Sequence, residues 1–198
     1  LHRRRARVHV VLLTPIADLS RDTAAMYRRL VLVAGRAAIV RFRSADQARL
    51  LLASSDILVD AILGTGLSSE VTGIYREAID LINGAEKPVI AVDIPSGLHA
   101  DTGAILGQAI RATVTVTLGL PKLGLYVGAG IDQAGAIRIV DIGIPEAYVD
   151  DIGSRTLLLT SNNIFNSLPE RRPSAHKGTF GHAGIIAGSV GKTGAAAL

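Results

Sequence analysis

With 198 residues, 48% of them hydrophobic and 19% charged, the chain has a globular composition and the length to bury one full core. Aromatics make up only 4% of it, so the stacking platforms that hold single-stranded nucleic acid are missing, and the formal charge of +4 suits a phosphate-bearing small ligand. Cysteine is absent, which excludes disulfides and thiolate metal sites and points to a reducing, cytoplasmic compartment.

Arg3, Arg4 and Arg5 precede an apolar stretch at residues 8–13, the outline of a signal peptide. His9 interrupts that stretch, no Ala-x-Ala site follows and the chain does not begin with Met. The reading is therefore a helix tail entering a strand, and export is rejected. No window reaches the ~18 uncharged apolar residues that span a bilayer, so no membrane partner is expected.

Strand-like and helix-like segments then alternate. Residues 8–13 are apolar and β-branched, hence a strand. Ser20 and Asp22 offer N-caps for a helix to about Val33, with Ala24, Tyr27, Leu30 and Val31 at helical spacing. Residues 38–42 form a short strand, Ser44 caps a helix carrying Ala48, Leu51 and Leu52, and residues 57–63 are a third strand. A helix over 74–82 is stopped by Asn83-Gly84, and residues 88–92 make the fourth strand. This rhythm predicts an α/β fold: a three-layer, Rossmann-like parallel sheet with helices on both faces.

After Ser96 the rhythm changes. Residues 98–107 are polar and glycine-bearing and read as an excursion or lid. Residues 112–118 alternate Val114 and Val116 with Thr113, Thr115 and Thr117, a strand with one face less apolar. Pro121-Lys122-Leu123-Gly124 is a loop that places a cation at another strand end. Residues 136–142 are a further strand, Pro145 starts a short helix, and 157–160 closes the series. From Leu168 the composition shifts: Pro169, Arg171, Arg172, Pro173 and Ser174 read as a linker, 182–187 as a new strand and 191–198 as its helix. Domains are expected over 1–168 and 169–198. Both ends look cut inside helices, so the expectation is a fragment, silent by itself.

Two stretches carry the chemistry: Val59-Asp60-Ala61-Ile62-Leu63-Gly64-Thr65-Gly66-Leu67 and Ala91-Val92-Asp93-Ile94-Pro95-Ser96-Gly97. In each, an apolar run suited to a buried parallel strand ends in an acid or small polar residue and then in glycine. Ligands of open α/β sheets bind outside the carboxyl ends of such strands, which gathers Asp60, Gly64, Thr65, Gly66, Asp93 and Ser96 around one crevice. Strand-end acids and glycines are also ordinary loop chemistry; two such elements in tandem favour a site.

Other chemistries fit less well. Gly188-Ser189-Val190-Gly191-Lys192-Thr193 invites a P-loop reading, but Ile186 stands where that pattern needs its first glycine. The turn could still meet a single phosphate at a helix N-terminus. His2, His9, His99, His176 and His182 show no metal-ligand spacing. Pro95-Ser96-Gly97 is no nucleophile elbow, so Ser96 is better read as an oxygen ligand or hydrogen-bond partner. Asp60, Asp93 and Ser96 offer hard oxygens suited to a group 1 or group 2 cation. The basic cluster Arg171, Arg172, His176 and Lys177 holds no interleaved aromatics.

The same residues carry a resemblance. The two stretches above, then Gly119-Leu120-Pro121-Lys122-Leu123-Gly124-Leu125 and Asp141-Ile142-Gly143-Ile144-Pro145, resemble successive signatures of the NAD(P)H-hydrate epimerase domain of YjeF N-terminal type. His176-Lys177-Gly178-Thr179-Phe180-Gly181-His182, with Ala187-Gly188-Ser189 and Thr193-Gly194-Ala195-Ala196, is similar to the opening of the ribokinase-like, ADP-dependent NAD(P)H-hydrate dehydratase domain. Their order matches the fused repair enzyme of prokaryotes and covers nearly the whole chain.

The resemblance implies an epimerase that interconverts the R and S forms of hydrated NADH and NADPH, fused to a dehydratase that uses ADP or ATP, and a homo-oligomer is expected. It implies that Asp60 and Ser96 help hold a potassium ion. It further implies that Gly64, Thr65, Gly66, Leu67, Ser68, Ser69, Glu70 and Asp93 contact the substrate. Epimerisation at a hydroxyl-bearing carbon needs a proton donor and acceptor nearby, and Asp93 is the candidate catalytic group; a purely hydrogen-bonding role for it stays open. Two departures stand out. The family's asparagine- and glycine-rich phosphate loop is missing from these residues, and Ser69 stands where many relatives carry arginine. A non-catalytic module akin to RNA-decapping scaffolds is the alternative, disfavoured because a scaffold has no use for cation ligands.

Overall fold

The computed structural model describes residues 6–197 apart from Arg155, Pro169, Arg171, Lys177, Ala183 and Thr193. The arginine cluster at the start, and Arg171 and Lys177 of the second basic cluster, lie outside the described residues. Contacts divide the chain into two units, Leu1–Ile152 and Gly153–Leu198. The division falls ahead of the proline-bearing segment at 169–174 where the composition shifts.

In the first unit the expected α/β rhythm is realised as parallel strands with intervening helices. Strand β1 (Val10–Leu12) leads into helix α1 (Arg21–Ala34), whose first turn is capped by the Ser20 hydroxyl accepting from Thr23 N at 3.3 Å. Strand β2 (Ile39–Arg41) pairs parallel with β1, and α2 (Ala45–Ala53) follows under an equivalent cap from Ser44 to Gln47 N. Then come β3 (Leu58–Asp60), α3 (Gly73–Gly84), β4 (Val89–Val92), β5 (Val114–Leu118), the short α4 (Gly130–Gln133), β6 (Ala136–Val140) and α5 (Glu146–Asp151). β3, β4, β5 and β6 form one parallel sheet in that order. The Thr14 and Tyr75 hydroxyls, 3.1 Å apart, tie the end of β1 to α3.

The first core cluster joins Leu58 of β3 and Val89 and Ala91 of β4 to Ile79 of α3, with Leu52 of α2 and Tyr75 and Ile82 of α3 packed against it. Burial of such side chains stabilises by roughly 1.5–3 kcal/mol each. The expected stop at Asn83-Gly84 does end α3, whose last residue is Gly84. Asn83 also turns its amide outward from the helix, donating to Ala109 O and accepting from Arg111 N, both at 2.9 Å. The helix terminator doubles as a tertiary anchor.

Two further expectations are corrected and one is refined. Residues 98–107 are the excursion and not the lid. Leu98 and Ala100 belong to a second core cluster with Ile94, Leu125 and Ala134, and the segment closes on itself through Leu106 N to Gly97 O and His99 N to Ala104 O. β5 has the less apolar face expected of it, and that threonine face is the buried one: Thr115 and Thr117 are wholly enclosed, and Thr115 Oγ1 satisfies itself on Ala134 O at 2.7 Å. A hydroxyl with an internal acceptor is buried at little cost.

The other correction concerns the second unit. Residues 157–160 pair with no strand among the described residues and end in Thr160, which caps α6 (Ser161–Ser167) through a reciprocal box with Asn163. Residues 182–187, expected as a strand, find no partner among the described residues, and Ile185 and Ile186 stand exposed. A strand is held by its neighbour's backbone groups, so apolar β-branched sequence alone does not make one. Around Gly188 and Gly191, both at positive φ, Lys192 N donates to Ser189 O at 2.8 Å in a tight turn. It leads to α7 (Gly194–Ala197). Among the described residues no helix is long and apolar enough to cross a membrane.

Gly97 shows how tightly the 98–107 turn is seated. Its φ is +94°, and an added Cβ would run into the Gln108 carbonyl and come within 2.7 Å of Ala109 Cα. Gly97→Ala is expected to destabilise the protein by about 2 kcal/mol or more. Urea unfolding monitored by circular dichroism measures this, and an unchanged midpoint would contradict the packing described.

Candidate functional site

The site is built from the carboxyl ends of adjacent parallel strands. β3 and β4 pair with Asp60 opposite Ala91, and β4 and β5 pair with Val92 opposite Val116. The loops leaving these ends therefore emerge side by side, as parallel-sheet topology requires of a ligand crevice. Asp60 and Ser96, predicted from different strands, are brought into direct contact.

Asp60 is fully buried and Ser96 nearly so. The Asp60 carboxylate accepts Ser96 N on Oδ2 at 2.8 Å, Ser96 Oγ on Oδ1 at 2.6 Å, and Ile62 N at 3.3 Å. Ser96 Oγ accepts Leu63 N at 2.8 Å and stands 3.2 Å from Leu63 O. Burial pushes the Asp60 carboxyl above its ordinary range, and the hydrogen bonds from Ser96 and Ile62 only partly offset this. Among the described residues the ion pairs are Arg49–Asp46 and Lys122–Asp93, so no basic side chain neutralises Asp60.

A buried carboxylate without a counter-charge, beside a hydroxyl and a backbone carbonyl, is a hard-oxygen donor set. Asp60 and Ser96 are the residues here that could hold a hard cation such as potassium. Among the described residues no three His, Cys, Asp or Glu side chains gather as a transition-metal centre.

Residues 64–70 form the rim. Gly64, Thr65, Gly66, Ser68, Ser69 and Glu70 are exposed, while Leu67 is half-buried and packs against the Ile79 cluster. A Cβ added at Gly64 or Gly66 would meet nothing within 4 Å. These two glycines, unlike Gly97, answer no steric demand from the protein and leave the backbone open to an approaching ligand.

Asp93 lies at the next strand end with φ +72°, the left-handed region that costs a non-glycine residue free energy. Its backbone still extends the ladder, with N donating to Val116 O at 2.8 Å. Its Oδ1 accepts Lys122 Nζ at 2.5 Å, Leu118 N at 3.0 Å and Thr117 Oγ1 at 3.4 Å. Partial burial pushes the Asp93 carboxyl up, but the Lys122 and Leu118 hydrogen bonds, the Lys122 charge and Thr117 together outweigh it and hold the group below its ordinary range. Asp93 is therefore ionised at neutral pH.

Lys122 was legible only as a cation at a strand end; its partner was not. The pairing depends on the side chain folding back from the loop after β5, which no local pattern encodes. A groove of about 400 Å³ between α2 and α3 is lined by Arg49, Arg76, Glu77 and Asp80. It holds none of the residues above and no buried polar group aimed into it, so the strand ends are the stronger candidate.

The family model described as YjeF-related protein N-terminus matches residues 1–124. A bifunctional NAD(P)H-hydrate repair enzyme Nnr of Thermofilum pendens is 47% identical over 134 residues, 68% of this chain and 25% of the relative. The enzyme of that name from Moorella thermoacetica is 39% identical over 202 residues, 98% of this chain and 37% of its own length. An NAD(P)H-hydrate epimerase of Levilactobacillus brevis is 44% identical over 93 residues, 47% of this chain and 43% of that one. The chain thus spans less than half the length of these curated relatives. Among solved structures, the crystal structure of yeast ynu0 shares the fold with a TM-score of 0.57 at 17% identity, over 73% of this chain and 59% of that one.

Ser96→Ala would strip the Asp60 carboxylate of its shortest hydrogen bond and leave Leu63 N without its acceptor. A loss of about 1–3 kcal/mol of stability is expected, read from denaturant unfolding of the variant beside the parent. A loss below about 0.5 kcal/mol would mean that solvent replaces the hydroxyl and that the clamp is not closed.

Proposed function

The chain belongs to the family of YjeF-related N-terminal domains, and on that premise we propose that it carries the NAD(P)H-hydrate epimerase site of a metabolite-repair enzyme. The observation that carries this reading is the Asp93 carboxylate, ionised, fixed through one oxygen and set beside the buried Asp60–Ser96 pair. The substrate is a hydrated nicotinamide, whose hydroxyl sits on a ring carbon next to nitrogen. Inverting that carbon means breaking and remaking its bond to oxygen, with the ring nitrogen's lone pair assisting. Asp93 accepts the hydroxyl's hydrogen bond and offsets the positive charge that develops on the ring, the kind of preorganised stabilisation that dominates many enzymes.

The remaining residues position the substrate. Gly64 and Gly66 let it approach the backbone, and Thr65, Ser68, Ser69 and Glu70 offer polar contacts from the rim, with Leu67 anchoring the loop in the core. Asp60 and Ser96 would hold the potassium ion, which would supply positive charge to a buried acid that has no other. Residues 169–198 are read as the opening of an ADP-dependent dehydratase domain. The Moorella relative's match over 98% of the chain supports that order of parts.

Incubating one resolved epimer with the full-length protein and separating the two forms by chromatography tests the activity. Interconversion above the buffer rate is expected, and Asp93→Asn should lower it by roughly 10²-fold or more with the circular dichroism spectrum unchanged. A rate equal to buffer would remove the enzymatic reading and leave the non-catalytic binding module.

The cation has its own readout. Potassium should raise the thermal midpoint above that in tetramethylammonium at equal ionic strength, because a site that binds only the folded state stabilises it by mass action. General screening depends on ionic strength alone, so identical midpoints would exclude a specific site.

A further inference from the structure

Exposed lysines are commonly free to wave in solvent; Lys122 is not. The turn that follows it, Leu123–Leu125, is clamped to the 98–107 segment: Leu125 is buried and Gly124 N donates to Ala100 O at 2.6 Å. A Cβ at Gly124 would run into the His99 carbonyl, so the backbone there has one way to lie. From this fixed base the ammonium reaches back to Asp93 Oδ1 at 2.5 Å and to Leu118 O at 2.8 Å.

Two groups are left over. All three donors to the Asp93 carboxylate use Oδ1, and among the described residues none reaches Oδ2. An ammonium has three N–H groups, and two of those on Lys122 are engaged. Both side chains keep partial access to solvent, 19% for Lys122 and 23% for Asp93. A spare acceptor and a spare N–H donor thus stand together at one strand end, a fork matched to a hydroxyl that must be held and protonated at once.

We propose that Lys122 is a catalytic proton donor of this site, delivering a proton to the hydroxyl that leaves the epimerising carbon while Asp93 Oδ2 holds that hydroxyl. The inference rests on the epimerase reading above and adds the second proton-bearing group to it. The steps balance without any oxidant or co-reactant but water. The C–O bond breaks with its electron pair going to oxygen, and the Lys122 proton completes a water molecule. The nitrogen lone pair forms a C=N bond, giving an iminium ion opposite the Asp93 carboxylate. A water molecule then adds to the other face through its own electron pair, and the C=N pair returns to nitrogen. The proton shed by that water returns through solvent to the Lys122 amine.

Charge and proton donation are separable by substitution. Arginine keeps the positive charge and the hydrogen bonds to Asp93, but a guanidinium does not give up a proton in proteins. In the full-length protein, Lys122→Arg is expected to lower kcat by about 10²-fold or more with KM within about threefold and the thermal midpoint within about 2 °C of the parent. Lys122→Ala should regain turnover with added ethylammonium, and across a series of alkylammonium ions the rescued rate should track their acidity, as Brønsted behaviour requires. An Lys122→Arg variant with the parent's kcat, or a rescue indifferent to amine acidity, would overturn the proposal and leave Lys122 as a counter-ion. If the unsubstituted protein does not interconvert the epimers at all, the epimerase reading itself falls, and this one with it.

Discussion

The contact between Asp60 and Ser96 is the constraint on which the site depends. It joins the ends of two strands through both oxygens of one carboxylate, and through Leu63 it also fixes the start of the exposed rim. Each half of the clamp explains the other. Ser96 is buried because it has a charged acceptor, and Asp60 tolerates burial because two Ser96 donors and Ile62 N share its charge. A buried charge without such donors would neutralise or unfold its surroundings.

Around the clamp, glycines divide into two physical kinds. Gly97, Gly124 and Gly130 lie where an added Cβ would strike backbone atoms; they let chain segments touch. Gly64 and Gly66 face open space. The first kind makes the floor of the site stiff, since the 98–107 turn, the turn after Lys122 and α4 interlock through backbone contacts. The second kind keeps its entrance free of side chains. Stiff floor and open rim together are the arrangement that preorganised electrostatics needs, because fixed donors cost nothing to reorient during reaction.

Much of this was legible from sequence where the signal is local. Ser20 and Ser44 cap the helices they were expected to cap, because an N-cap is decided within three residues. The strand end before Asp93 followed from an apolar run that stops at an acid, whereas β3 stops at Asp60, three residues short of the end expected at Leu63. What failed depended on partners distant in the chain. Residues 182–187 have strand composition but find no strand partner among the described residues. Which face of β5 turns inward was not visible either: Thr115 and Thr117 are buried because they meet acceptors at Ala134 and Asp93. Nor was the hold of Asn83 on residues 109 and 111 visible beside its expected place at the helix stop. The direct bond between Asp60 and Ser96, and that between Lys122 and Asp93, belong to the same class: residue types and positions were visible, their meeting was not.

The two acids of the site are driven in opposite directions, and the cause lies in what each is given as company. Asp60 is enclosed with neutral donors, so burial dominates and its carboxyl is raised. Such a group favours the folded state most below the ordinary carboxylate range and withdraws that stability as pH rises through its folded value. At neutral pH it is a burden that a bound cation would lift. Asp93 is only partly buried and faces an ammonium, so its carboxyl is lowered. Its contribution is present above the ordinary range and is lost as pH falls through its folded value, though exposure to solvent keeps it small. Environments that push paired acids apart assign them different work. Asp93, ionised with one oxygen that no donor among the described residues reaches, is the acid open to a ligand, and Asp60, closed off from solvent, is the one that holds the frame on which Asp93 stands.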